Sequence, residues 1–269
     1  MCRAFLVAAV VCVAAAAPAR DREEVVLAPH VATYGLTLHS LRAAGKATRS
    51  GGEMVVKLER ICEGWRVGNR LTFAAGLEGG DVIRLQVENG VEESADGSLL
   101  SFATSNALND APPTRTRGAA QRLPEGGGRA VFTEPARREI ALPKGILFPV
   151  AGVRDRLRRL RTGERRGERR LFDGSVPGVI RAVETVGDSP LALVRDVAGD
   201  SDLLDAASWR VDGDWRLLGT EETVQRTAIQ FHGNGVASRM LIDLGVLTIA
   251  AGLTEIRRLP EPRCGSKDR

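Results

Sequence analysis

The chain has 269 residues, 38 of them basic and 34 acidic, for a formal net charge of +4. Nine arginines against three acids lie between Arg154 and Arg170, a net of +6 for that segment, so the high isoelectric point describes one stretch and excludes a uniformly basic protein. Beyond the first residues, no apolar run approaches the ~20 residues a helix needs to cross a bilayer.

The opening MCRAFLVAAVVCVAAAAPAR joins one positive charge at Arg3 to an apolar stretch from Ala4 to Ala17 and the small-x-small triplet Ala17-Pro18-Ala19. That anatomy predicts a secretory signal over residues 1–19, cleaved after Ala19. Acylation at Cys12 is disfavoured by the bulky Val11 before it. The expected product is one exported domain over residues 20–269.

Strand-like alternation then dominates. In VATYGLTLH, Tyr34, Leu36 and Leu38 fall on one face and Thr33, Thr37 and His39 on the other. Trp65, Val67, Leu71 and Phe73 alternate with Arg66, Arg70 and Thr72, and Ile83, Leu85 and Val87 with Arg84, Gln86 and Glu88. Such strands are half-buried, with one face wet and one dry. Hairpin turns are expected at Ser50-Gly51-Gly52, Glu78-Gly79-Gly80, Asn89-Gly90, Asp96-Gly97, Gly126-Gly127-Gly128 and Asn234-Gly235. Short period-2 runs punctuated by glycine predict a mainly β fold, a long antiparallel sheet curled or closed.

One segment departs from the pattern. From Pro149 to about Thr162, Val153, Leu157 and Leu160 recur at helical spacing with arginines on the other faces, which predicts one principal helix packed on the sheet by a narrow apolar stripe. Gly163 and Gly167 end or loosen it, and strands resume near Val179. The signal returns at Ile229 and Phe231, at Val236, Met240 and Ile242, and at Leu247 and Ile249.

With Cys2 and Cys12 leaving in the leader, Cys62 and Cys264 remain, and two thiols in an oxidising compartment are expected to pair. A reactive thiol or a metal ligand are the rival readings; no histidine is close in sequence to either cysteine and no C-x-x-C occurs. His30, His39 and His232 share no metal-binding spacing, so neither metal nor cofactor is expected.

Catalytic motifs are wanting. Gly187-Asp188-Ser189 lies between turn residues with no D-x-x-H to supply a base, and no G-x-S-x-G elbow occurs. Gly233-Asn234-Gly235 precedes a strand pattern rather than a helix, so it reads as a turn and not as a phosphate loop. Arginine forks match phosphate oxygens, which makes Arg154, Arg158, Arg161 and Arg165 candidates for holding an anionic group; a solvated helix face is the bland alternative. Nucleic acid is not expected, for want of interleaved aromatics. Trp65 and Trp209 read as packing residues, although inward faces would also line a cavity if the sheet curls around one.

Seven segments in order, LAPHVATYGLTL from Leu27, CEGWRVGNRL from Cys62, ESADGSLLSF from Glu93, LPKGILFP from Leu142, LFDGS from Leu171, SWRV from Ser208 and NGVASRMLIDLG from Asn234, resemble the periplasmic cell-envelope integrity (EipB-like) family of Gram-negative bacteria. The resemblance implies an open spiral or broken barrel wound around a helix, similar in architecture to lipoprotein carriers. It also implies a disulfide between Cys62 and Cys264, a periplasmic location, and a role in envelope integrity and stress response without enzymatic activity. Gly152 stands where the family tends to have histidine, and Leu244-Gly245-Val246-Leu247 replaces an aromatic, acidic run. The expected function is a non-enzymatic scaffold or module binding another periplasmic protein; a carrier of an envelope lipid or lipoprotein acyl chain is the alternative, and either way the chain is peripheral to the membrane at most.

Overall fold

The computed structural model describes residues 24–42, 47–192, 194 and 196–265; the expected leader lies outside them. Eight strands follow one another as an antiparallel meander: β1 (His30–Leu41), β2 (Ala47–Ile61), β3 (Gly64–Leu77), β4 (Val82–Ser94), β5 (Leu99–Leu108), β6 (Thr114–Arg122), β7 (Gly128–Glu134) and β8 (Arg138–Leu142). The short β9 (Ile146–Leu147) leads into helix α1 (Pro149–Arg161), followed by β10 (Arg166–Leu171), β11 (Ile180–Val186), β12 (Ala198–Gly199), β13 (Ser208–Leu217), β14 (Thr223–His232), β15 (Ala237–Asp243) and β16 (Leu247–Arg258).

β16 pairs with β1, so the two halves fuse into one sheet in the order β8-β7-β6-β5-β4-β3-β2-β1-β16-β15-β14-β13-β11-β10-β9. Its two ends, β8 and β9, are joined by residues 143–145 without hydrogen bonding to one another. The sheet is therefore a barrel nearly closed, with one unsealed seam: the curled antiparallel sheet that the alternation predicted, broken as the resemblance implied. Register shifts at Thr33/Tyr34, Leu38/Ser40, Arg117/Gly118 and Gln230/Phe231 help it curl, because a bulge sharpens the local twist.

α1 sits inside the curl. Val150, Leu157 and Leu160 share one buried cluster with Leu58 of β2, Trp65 of β3, Val211 of β13 and Phe231 of β14, so the helix touches walls from both halves of the sheet. Pro149 opens it with a preset φ, and the cap residue Phe148 supplies no side-chain acceptor. That office falls to Glu93 of β4, whose Oε2 and Oε1 accept from the backbone N–H groups of Val150 (2.6 Å) and Ala151 (2.8 Å). Burial raises the Glu93 pKa while these two donors, with Arg154 and Arg122 nearby, oppose the rise. Arg158, Arg159 and Arg161 occupy the last turn, where cations suit the helix dipole.

Two of the expected turns are corrected. Ser50-Gly51-Gly52 is not a turn but lies within β2, where a Cβ on Gly52 would stand 2.1 Å from the Thr72 carbonyl oxygen; close strand approach, not chain reversal, requires this glycine. Asn89-Gly90 is interior to β4, paired with Asn69-Gly68 on one side and Thr104-Ala103 on the other, and neither residue has positive φ. The expected turns at Gly79-Gly80, Gly97, Gly126-Gly127 and Gly235 do form, with φ positive.

The arginines do not all face water. Arg156 of α1 and Arg169 of β10 are buried, meeting at Glu184 of β11, and RGERRL is a strand before the predicted restart near Val179. Its inward residue is Arg169 rather than an apolar one, so the alternation that marks a half-buried strand is absent from its sequence.

Candidate functional site

The interior beside α1 is partly hollow. A cavity of about 210 Å³ is lined by Leu27, Leu58, Val67, Val150, Phe231 and other apolar side chains, with His30 and Tyr34 its polar members. Both are satisfied and uncharged. His30 Nδ1 donates to the Ala28 carbonyl at 2.7 Å and burial pushes its pKa down; Tyr34 Oη donates to the Ala237 carbonyl at 2.8 Å and burial pushes its pKa up.

Val56, Ile229 and Met240 also line a second chamber of about 350 Å³, so the two spaces share a wall. Leu71, Val87 and Ile249 continue the apolar lining there, and the half-exposed Leu244 stands at its edge. The polar part of this chamber's lining comprises Asn69 of β3, Asn89 of β4, Trp215 of β13, Gln225 and Thr227 of β14, Asp173 and Ser175. Asp173 Oδ1 accepts from the N–H (2.9 Å) and hydroxyl (2.7 Å) of Ser175. By contrast Asn69 Oδ1, Asn89 Oδ1 and Trp215 Nε1 are buried without a hydrogen-bond partner.

The remaining sequence candidates fall as follows. The sulfurs of Cys62, at the β2–β3 turn, and Cys264, beyond β16, lie 2.19 Å apart with Cα atoms 5.5 Å apart, within disulfide distance. The four candidate arginines point to four separate partners: Arg154 stacks 5.4 Å from the Trp65 ring centroid, Arg158 lies 3.7 Å from Asp155, Arg161 donates to the Gly233 carbonyl at 3.0 Å, and Arg165 pairs with Asp188 at 2.7 Å. The crevice between α1 and β10 encloses only about 20 Å³, room for a single water.

His232 Nε2 lies 2.9 Å from Ser238 Oγ, far from His30 in sequence, and His39 is exposed. Among the described residues no group of three or more His, Cys, Asp or Glu could hold a metal. Gly187-Asp188-Ser189 is an exposed bend. No helix among the described residues is long and apolar enough to cross a membrane.

Sequence reasoning missed Asn69, Asn89 and Trp215. A signal existed: Asn69 interrupts the inward series Trp65, Val67, Leu71, Phe73, yet the alternation reads well enough without it.

A family model described as EipB-like matches residues 21–260. The fold is similar to the crystal structure of a β-barrel-like protein of a domain of unknown function from Brucella abortus, with a TM-score of 0.76 and 21% identity over 88% of this chain and 100% of that one. That likeness concerns the fold. No curated protein matches the sequence.

Proposed function

Since the chain belongs to the EipB-like family, we propose that it is a non-enzymatic periplasmic protein that maintains the cell envelope by holding an acyl chain inside its curled sheet. The family name suggests the envelope, and the two sulfurs at bonding distance suit an oxidising compartment, where Cys62 and Cys264 form a disulfide. The description of the matched family names no catalytic activity.

One observation favours carriage of an acyl chain over a scaffold role. The cavity of about 210 Å³ beside α1 is walled almost wholly by apolar side chains and shares a wall with a larger chamber, the usual make-up of a site for an apolar ligand. A fully packed interior would have served a scaffold equally well and is what protein cores normally reach.

Each methylene moved from water into such a space contributes ~0.8 kcal/mol, close to fourfold in affinity. A series of acyl chains of increasing length should therefore bind about fourfold more tightly per methylene until the cavity is full, then level off. Protein purified from its own envelope and extracted for mass spectrometry should carry an amphiphile. A clean apoprotein that shows no length dependence and instead retains a second protein would replace carriage with the scaffold reading.

A further inference from the structure

We infer that the amphiphile carried in this barrel has an uncharged, hydrogen-bonding head group, seated between Asn69, Asn89 and Trp215 with its chain directed toward Tyr34. This rests on the acyl-chain reading above and adds the chemistry of the other end of the ligand.

Asn69 and Asn89 are cross-strand partners in the β3–β4 register, and each breaks an inward apolar series, Val67-Asn69-Leu71 and Val87-Asn89-Val91 on alternate residues. Asparagine is a poor strand former, so both positions carry a local cost that apolar packing does not explain. Trp215 approaches the same chamber from β13. Its indole lies over Gly213, where a Cβ would stand 2.6 Å from Nε1; the strand leaves out a side chain where the ring rests.

Asn69 Oδ1, Asn89 Oδ1 and Trp215 Nε1 are all buried without a partner, and all three residues line the one chamber. Buried polar atoms in folded proteins are nearly always paired, so three orphans on residues that line one chamber mark where a further group belongs. Carboxamides present a donor and an acceptor, and the indole a donor. A hydroxyl, ester or amide head satisfies such a set.

The charge pattern selects among head groups. Among the described residues no lysine or arginine lines either space, and the sole carboxylate there is Asp173. A phosphate or free carboxylate would enter desolvated, beside an acid and with no cation to pair it. The arginine-rich segment cannot supply one: Arg154, Arg158, Arg161 and Arg165 are each engaged elsewhere.

The test is displacement of a fluorescent apolar probe from the full chain, near neutral pH, by ligands of one chain length: a monoacylglycerol, the matching fatty acid and the matching lysophosphatidylglycerol. The monoacylglycerol should bind at least about tenfold more tightly than either anion. Trp215→Phe, which keeps an aromatic ring and removes the N–H, and Asn69→Leu combined with Asn89→Leu should each weaken the monoacylglycerol about tenfold relative to the apolar probe. Equal or tighter binding of the anions, or variants that bind the monoacylglycerol as the parent does, overturns the head-group assignment and leaves the acyl-chain reading standing. Failure of the probe and all three amphiphiles to bind overturns both.

Discussion

The buried Glu184 should be the costliest single carboxylate to lose. Its oxygens accept from Arg156 Nε at 3.1 and 2.9 Å and also meet the terminal nitrogens of Arg156 and Arg169. The three side chains are between 3% and 8% exposed, so water cannot take over these contacts. Burial pushes the two guanidinium pKa values down to about 10 and about 9, which still leaves both charged near neutrality. Glu184→Gln would therefore leave two buried cations against Asp155, which lies 3.8 Å from Arg169 but is also bonded to Arg159 at 2.9 Å.

Removing one partner of a buried pair typically costs about 3–5 kcal/mol. Glutamine keeps one acceptor, so we expect the lower end, about 3 kcal/mol, a large share of the 5–15 kcal/mol that holds a typical domain together. Urea unfolding should show the midpoint falling at constant slope. The control is Glu88→Gln, whose 3.2 Å pair with Arg70 is 64–72% exposed and whose loss should cost no more than about 0.5 kcal/mol. If the two variants unfold at the same urea concentration, the buried cluster does not hold α1 to the sheet as argued.

Reducing Cys62 and Cys264, or changing both to serine, should lower stability by up to about 5 kcal/mol, since a bond across a separation of 202 residues restrains much of the unfolded chain; a shift below about 1 kcal/mol in urea would refute this. Gly174→Ala should cost about 2–4 kcal/mol, because φ is +77° there and a Cβ would stand 2.1 Å from the Phe102 ring; a melting temperature equal to the parent's would count against that close contact. Burial pushes the pKa of His30 and His232 below 6.5, so the folded state binds fewer protons than the unfolded one as pH falls through that value. Stability should hold above pH 6.5 and decline below it, and His30→Asn with His232→Asn should flatten that part of the profile; identical profiles for parent and variant would exclude the two histidines as the source.

Much of the wall of this molecule is legible in one dimension. Tyr34, Leu36, Trp65, Leu71 and Phe73 bury on the face that simple alternation assigns to them, because the two-residue period of a strand is local and the dry face calls for an apolar side chain at every second position. α1 was visible for the same reason, from Val153, Leu157 and Leu160 at helical spacing. Glycine does not act as punctuation at Gly52 and Gly90, since a flexible residue serves a close strand approach as readily as a turn, and only the neighbouring strand decides which. β10 escaped because its inward residue is an arginine whose acidic partner, Glu184, lies on the next strand.

The interior was decided by tertiary structure alone. Glu93 caps a helix 57 residues away, and Asn69, Asn89 and Trp215 become neighbours of one chamber only after β3, β4 and β13 have closed around α1. Sequence fixes which way a side chain points relative to its own strand. Whether the space it points into is filled, charged or hollow depends on how far apart the opposing walls stand, and that distance is set jointly by every strand in the curl and by the helix wedged within it.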